Sequence, residues 1–130
     1  MTGRAARGDV GAAVPEFVLV SALLTLLFAG VLQLGLALHV RTTLVDCVGE
    51  GARFGALADR SPGDGAERAR ELIRASLPDG YADDVDARYV DVGALATVEV
   101  TARAPLPVLG LLGPGGTMTV RGHGAVEVLP

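Results

Sequence analysis

The first residue whose type and position invite a chemical reading is Glu16. It stands at the lip of an apolar run, five positions after Gly11, and no Asp, Glu, Lys or Arg lies between it and Arg41. A carboxylate is costly to carry into apolar packing unless a positive group neutralises it, so its chemistry there is charge pairing. The plainer role is to mark the interfacial end of a helix, where a negative side chain also meets the positive end of the dipole. Other candidates are weaker. His39 and His123 lie far apart, and neither has Cys, His or carboxylate neighbours at zinc-ligand spacing, so no metal site is expected. Asp83, Asp84, Asp86 and Asp91 do not match a calcium loop and read as a solvated acidic edge. The glycines near 110–116 lack the lysine and Ser/Thr of a phosphate loop and read as a turn. No Ser/His/Asp set can be assembled, because serine is scarce and Ser21 lies inside the apolar run.

Composition narrows the classes further. All 11 basic residues are arginine, which removes P-loop lysine and Schiff-base chemistry. The net charge of −4 gives no footprint for nucleic acid. A chain of 130 residues holds one modest domain plus appendages, which leaves no room for a multidomain enzyme. A single cysteine, Cys47, cannot form an internal disulfide and reads as a small packing residue.

Phe17 to Leu38 carries the hydrophobicity (FVLVSALLTLLFAGVLQLGLAL). As a helix at about 1.5 Å per residue it reaches roughly 33 Å, the thickness of a bilayer's hydrocarbon core. It is longer than a typical secretory signal core, and no small-x-small site follows closely; Ala56-Leu57-Ala58 is far downstream. Arg4 and Arg7 on one side and Arg41 and Arg53 on the other leave the orientation open by charge counting.

The junction Gly11-Ala12-Ala13-Val14-Pro15-Glu16-Phe17 resembles a prepilin peptidase site. The resemblance implies cleavage after Gly11, loss of residues 1–11, and a new amine on Ala12. That amine would meet the Glu16 carboxylate on its own or a neighbouring subunit and set the register of assembly. Pro15 departs from the usual pattern: proline is tolerated in a first helical turn but disfavours helix at Val14, so the spacing predicts that residues 12–14 leave the helix. Further on, Arg41 and then Glu50-Gly51-Ala52-Arg53-Phe54-Gly55-Ala56 extend the likeness. The whole order, covering residues 7–58, resembles the TadE-like minor pseudopilins of the tight adherence (Tad/Flp) pilus system. The resemblance implies a cytoplasmic N-terminus, an extracytoplasmic C-terminal part, no cofactor, and a place in a pilus or secretion apparatus. Its partners would be the membrane, prepilin peptidase, other pilins and the Tad assembly machinery, with no nucleic acid and no small-molecule substrate. Arg7-Gly8-Asp9 spells an integrin-type tripeptide, read as coincidence within the leader.

Arg41 to Ala58 continues helically, with Leu44, Val45, Val48, Ala52 and Gly55 near one face. Gly51 and Gly55 form a G-x-x-x-G pair that permits close helix packing, against another pilin or against the chain's own domain. Ser61-Pro62-Gly63-Asp64-Gly65 is a breaker cluster. Ala66 to Leu77 is a short amphipathic helix with Ala69, Leu72, Ile73 and Leu77 inward, its Glu67–Arg70 and Glu71–Arg74 pairs forming a solvated face. The period then changes to two in Val85–Val92, in Ala96–Arg103 and in Thr117–Val128, where Met118, Val120, Val126 and Val128 share a face with Gly122 and Gly124. Leu106 to Leu112 is an apolar connection, and Gly113-Pro114-Gly115-Gly116 a turn.

The expected fold is α+β: a long N-terminal transmembrane helix continuing into a small extracytoplasmic domain with one short helix and a three-stranded antiparallel sheet. The expected organisation is a leader over 1–11, a long helix over 12–58 that spans the membrane over about 17–38, and the domain over 59–130. The expected function is a non-catalytic minor pseudopilin. The alternative is an unprocessed, single-pass anchored binding module of the cell envelope.

Overall fold

A computed structural model of the chain describes residues 11–106 and 116–128, together with the helical backbone from Thr2. The side chains before Gly11, Arg7-Gly8-Asp9 among them, and the expected connection and turn over 107–115 lie outside the described residues. The element order is α1 (Thr2–Gly55), α2 (Pro62–Ser76), β1 (Asp84–Val92), β2 (Leu95–Pro105) and β3 (Thr117–Ala125). The chain divides into two compact units, Met1–Gly35 and Leu36–Pro130.

The first unit is helix alone. The expected break at Val14 does not occur: α1 runs through Pro15. Proline removes one i→i−4 hydrogen bond, but the bonds on either side persist, and an apolar helix tolerates the single loss. Every residue from Gly11 to Val20 is exposed, as are Leu23, Leu24, Leu26, Leu27 and Phe28. The segment therefore has an apolar surface all round and is long and apolar enough to cross a membrane once.

The second unit is the α+β domain the alternation predicts. β2 is central, pairing antiparallel with β1 (Ala87↔Val100) and with β3 (Val100↔Gly122). Gly93, with φ 63°, opens the two-residue turn between β1 and β2, while Ala94 keeps a negative φ. That combination is the one a II′ hairpin requires.

One face of the sheet is covered. Val85, Val98, Val100, Ala102, Ala104, Met118 and Val120 pack with Val40, Leu44, Cys47, Val48 and Ala52 of α1, with Ala56 just past its end, and with Ala66, Ala69 and Ile73 of α2 in a single core. The α1 stripe recurs every three or four residues, the helical period. Val45, expected in that stripe, is 41% exposed because it lies one residue off it. Val128, expected on the inner face of β3, is 83% exposed because the strand ends at Ala125; there the chain leaves the ladder and Glu127 N–H donates to Ala56 O at 2.8 Å.

The breaker cluster has a second role that its composition conceals. Ser61 caps α2, its hydroxyl accepting from the Asp64 N–H while the Asp64 carboxylate accepts from the Ser61 N–H at 2.9 Å. With Pro62 in the first turn, this reciprocal cap starts α2 four residues before the expected Ala66.

Candidate functional site

Gly11, Ala12 and Glu16 lie on one continuous helical segment, all exposed. Ala12 and Glu16 are four apart, which places them one turn apart on the same face. A Cβ added at Gly11 would meet nothing within 4 Å. In the intact chain the Ala12 nitrogen is a peptide nitrogen, so the charge partner considered for Glu16 exists only after the Gly11–Ala12 bond is cut. Deeper in the apolar segment, Thr25 Oγ1 donates to Ser21 O at 2.8 Å, which satisfies the hydroxyl inside its own helix.

Gly51 and Gly55 are both buried against α2 of the same chain. A Cβ on Gly51 would sit 2.6 Å from Gly65 O, and one on Gly55 would sit 2.9 Å from Ser61 O. Backbone meets backbone here, so the small-residue pair is occupied by the chain's own short helix. Cys47 is buried in the same core. His39 is exposed, and its carbonyl accepts from Thr43 Oγ1 at 2.9 Å.

The arrangement of charge on the uncovered face of the sheet was not foreseen. Registered pairing lines up Asp84, Arg103 and Thr119, then Asp86, Thr101 and Arg121, then Arg88, Glu99 and His123. Glu99 is central and its side chain is only 10% exposed. Arg88 Nε donates to its Oε1 at 3.2 Å, and His123 Nε2 lies 2.9 Å from its Oε2. An ionised carboxylate only accepts, so Nε2 carries the hydrogen in this pair. The His123 hydrogen bond is the main cause holding the Glu99 carboxyl below the usual glutamate range; burial opposes it, and Arg88 adds to it by hydrogen bond and charge. Arg103 Nη1 lies between Asp84 Oδ1 at 3.4 Å and Asp86 Oδ2 at 3.3 Å, so two of the four carboxylates of the solvated acidic edge share a cation while staying exposed.

These groups surround a shallow depression of about 230 Å³ lined by Asp86, Arg88, Glu99, Thr101, Arg103 and Arg121. The alternation in β2 and β3 already set Thr97, Glu99, Thr101 and Arg103 opposite the apolar residues. What the sequence lacks is the register that brings Arg88 and His123 to the two sides of Glu99.

The charges on α2 form the expected solvated face, with one pairing changed and Arg70 drawn inward. Glu67 pairs with Arg70 at 3.1 Å as the spacing predicts, but Glu71 pairs with Arg68 at 3.5 Å and not with Arg74. Arg70 is only partly exposed and donates through Nη2 to Val85 O at 2.7 Å, tying α2 to β1. Among the described residues, no three His, Cys, Asp or Glu side chains come together in a way that could hold a metal ion.

Set beside known proteins, residues 11–53 match the family model described as TadE-like protein, the family that the junction and the E-G-A-R-F segment resemble. The matched stretch starts at Gly11 and contains Ala12, Glu16, the apolar run and Gly51. No curated protein and no solved structure matches the chain.

Proposed function

We propose that this chain is a minor pseudopilin of the TadE-like kind, taking part without catalysis in assembly of a Tad/Flp-type pilus or related secretion apparatus. The observation that carries this reading is the family match over 11–53, which begins at Gly11 and runs across the apolar helix. Prepilin peptidase cuts after Gly11 and residues 1–11 are lost. The Ala12 amine then faces Glu16 one helical turn away, which offsets the cost of placing a carboxylate in apolar surroundings. The single apolar helix anchors the chain in the cytoplasmic membrane, with the N-terminus cytoplasmic and the α+β domain outside. Other pilins and the Tad machinery are its partners.

Intact mass and N-terminal sequencing of the membrane-extracted protein from its host, beside a Gly11→Leu variant, test the reading. The expected result is a chain starting at Ala12 in the parent and an uncut chain in the variant. An uncut parent chain overturns processing and leaves a single-pass anchored binding module.

A further inference from the structure

The uncovered sheet face carries a charge imbalance from one edge to the other. At the β1 edge, Asp84 and Asp86 share one nitrogen of Arg103, and their side chains stay 58% and 62% exposed. One guanidinium nitrogen divided between two carboxylates gives neither the two-pronged pairing that makes such contacts strong. At the β3 edge, Arg121 is exposed and has no acidic partner among the described residues. Within one copy the surplus charges do not meet. Thr101 stands between Asp86 and Arg121 in register, and two strand spacings separate them by about 10 Å.

Both outer strands run antiparallel to β2, so β1 and β3 are parallel to each other. A second copy displaced sideways along the sheet therefore brings its β1 beside the first copy's β3, pointing the same way. The surplus cation of one copy then faces the surplus carboxylates of the next. Such a contact joins two different edges, so it repeats without closing and generates a row.

We propose that the two outer edges of this sheet make a head-to-tail contact between copies of the chain, with Arg121 of one copy lying against Asp84 and Asp86 of the next. The occupant is a second copy because the chain itself carries both halves of the complementary pair, on opposite edges and in parallel strands. The proposal concerns residues outside the 11–53 stretch and stands whether or not the chain is cleaved after Gly11.

The test uses the full chain in lipid vesicles, labelled with donor or acceptor dye at Val128→Cys, an exposed position; the native Cys47 is buried. Energy transfer is followed against the protein-to-lipid ratio. The parent chain is expected to self-associate. Arg121→Glu alone and Asp86→Arg alone each set like charges against each other at every contact, and each should shift the midpoint ratio at least fivefold upward. Mixed one to one, the two variants restore opposite charges at every contact, and the midpoint should return to the parent value. Circular dichroism melts of each variant check that the domain stays folded. A parent chain that does not associate overturns the proposal, and so does an Arg121→Glu midpoint that is unchanged. Folded variants whose mixture fails to recover overturn it as well.

Discussion

At the scale of single residues, Glu99 shows how position changes what a side chain does. By sequence it is one polar residue among the outward members of β2, yet it is the most deeply set acid on that face, held from both sides by Arg88 and His123. Its pKa is lowered on folding, so its contribution to stability is complete above the unfolded value of about 4.3 and is lost as pH falls through the folded value. Glu99→Gln should therefore cost on the order of 1 kcal/mol at neutral pH, a modest figure because Arg88 is largely exposed and screened. That cost should shrink as the solution is acidified below about pH 4.3. Thermal melts of both proteins across this range check it; a gap that stays constant would mean that the charge of Glu99 contributes nothing.

At the scale of elements, the fold depends on backbones that approach more closely than side chains would allow. A Cβ at Gly122 would sit 2.5 Å from the Gly49 nitrogen and from Val48 backbone atoms, and one at Gly124 2.5 Å from Ala52 O. Helix α1 thus lies directly on β3. Gly122→Ala should destabilise the domain by about 2 kcal/mol or more, since rigid backbone on both sides cannot yield. Gly49 occupies the same stretch of α1 but has nothing within 4 Å of its added Cβ. Gly49→Ala should instead stabilise by up to about 1 kcal/mol through helix propensity alone. Denaturant melts of the two variants separate the cases: two glycines a few ångströms apart are predicted to respond with opposite sign. The sequence shows both as glycine, and only the packing distinguishes them.

At the scale of the whole molecule, two units follow different rules. Among its described residues the first buries no side chain and exposes apolar ones all round, which only a nonpolar solvent or other apolar helices can cover. The parent chain should therefore stay with membranes through alkaline carbonate extraction. Leu24→Arg with Leu27→Arg, each costing about 2.5–3.5 kcal/mol near the centre of a span, should release it to the soluble fraction. The second unit has its own core, a capped helix and a hairpin set by Gly93, the features of an independent small domain.

The sequence by itself determined the elements and most of the apolar face that each one buries. A long uncharged run, a three-four stripe ending in α1, an amphipathic α2 and three alternating strands each follow from a periodicity that a single chain displays. It also carries the resemblance to TadE-like proteins around Gly11 and Glu16, because that signal is local and linear. The tertiary structure decided what depends on two segments meeting. Gly51 and Gly55 pack on Gly65 and Ala69 of the same chain because α2 folds back across them. Ser61 to Asp64, which reads as a break, caps a helix because its hydroxyl and carboxylate find each other's amides. The charge network around Glu99 exists only once β1 and β3 take their register on β2, and a shift of one residue would turn those charges into the core. Periodicity is carried along the chain, whereas register and close approach are relations between chain segments, and only folding brings those segments together.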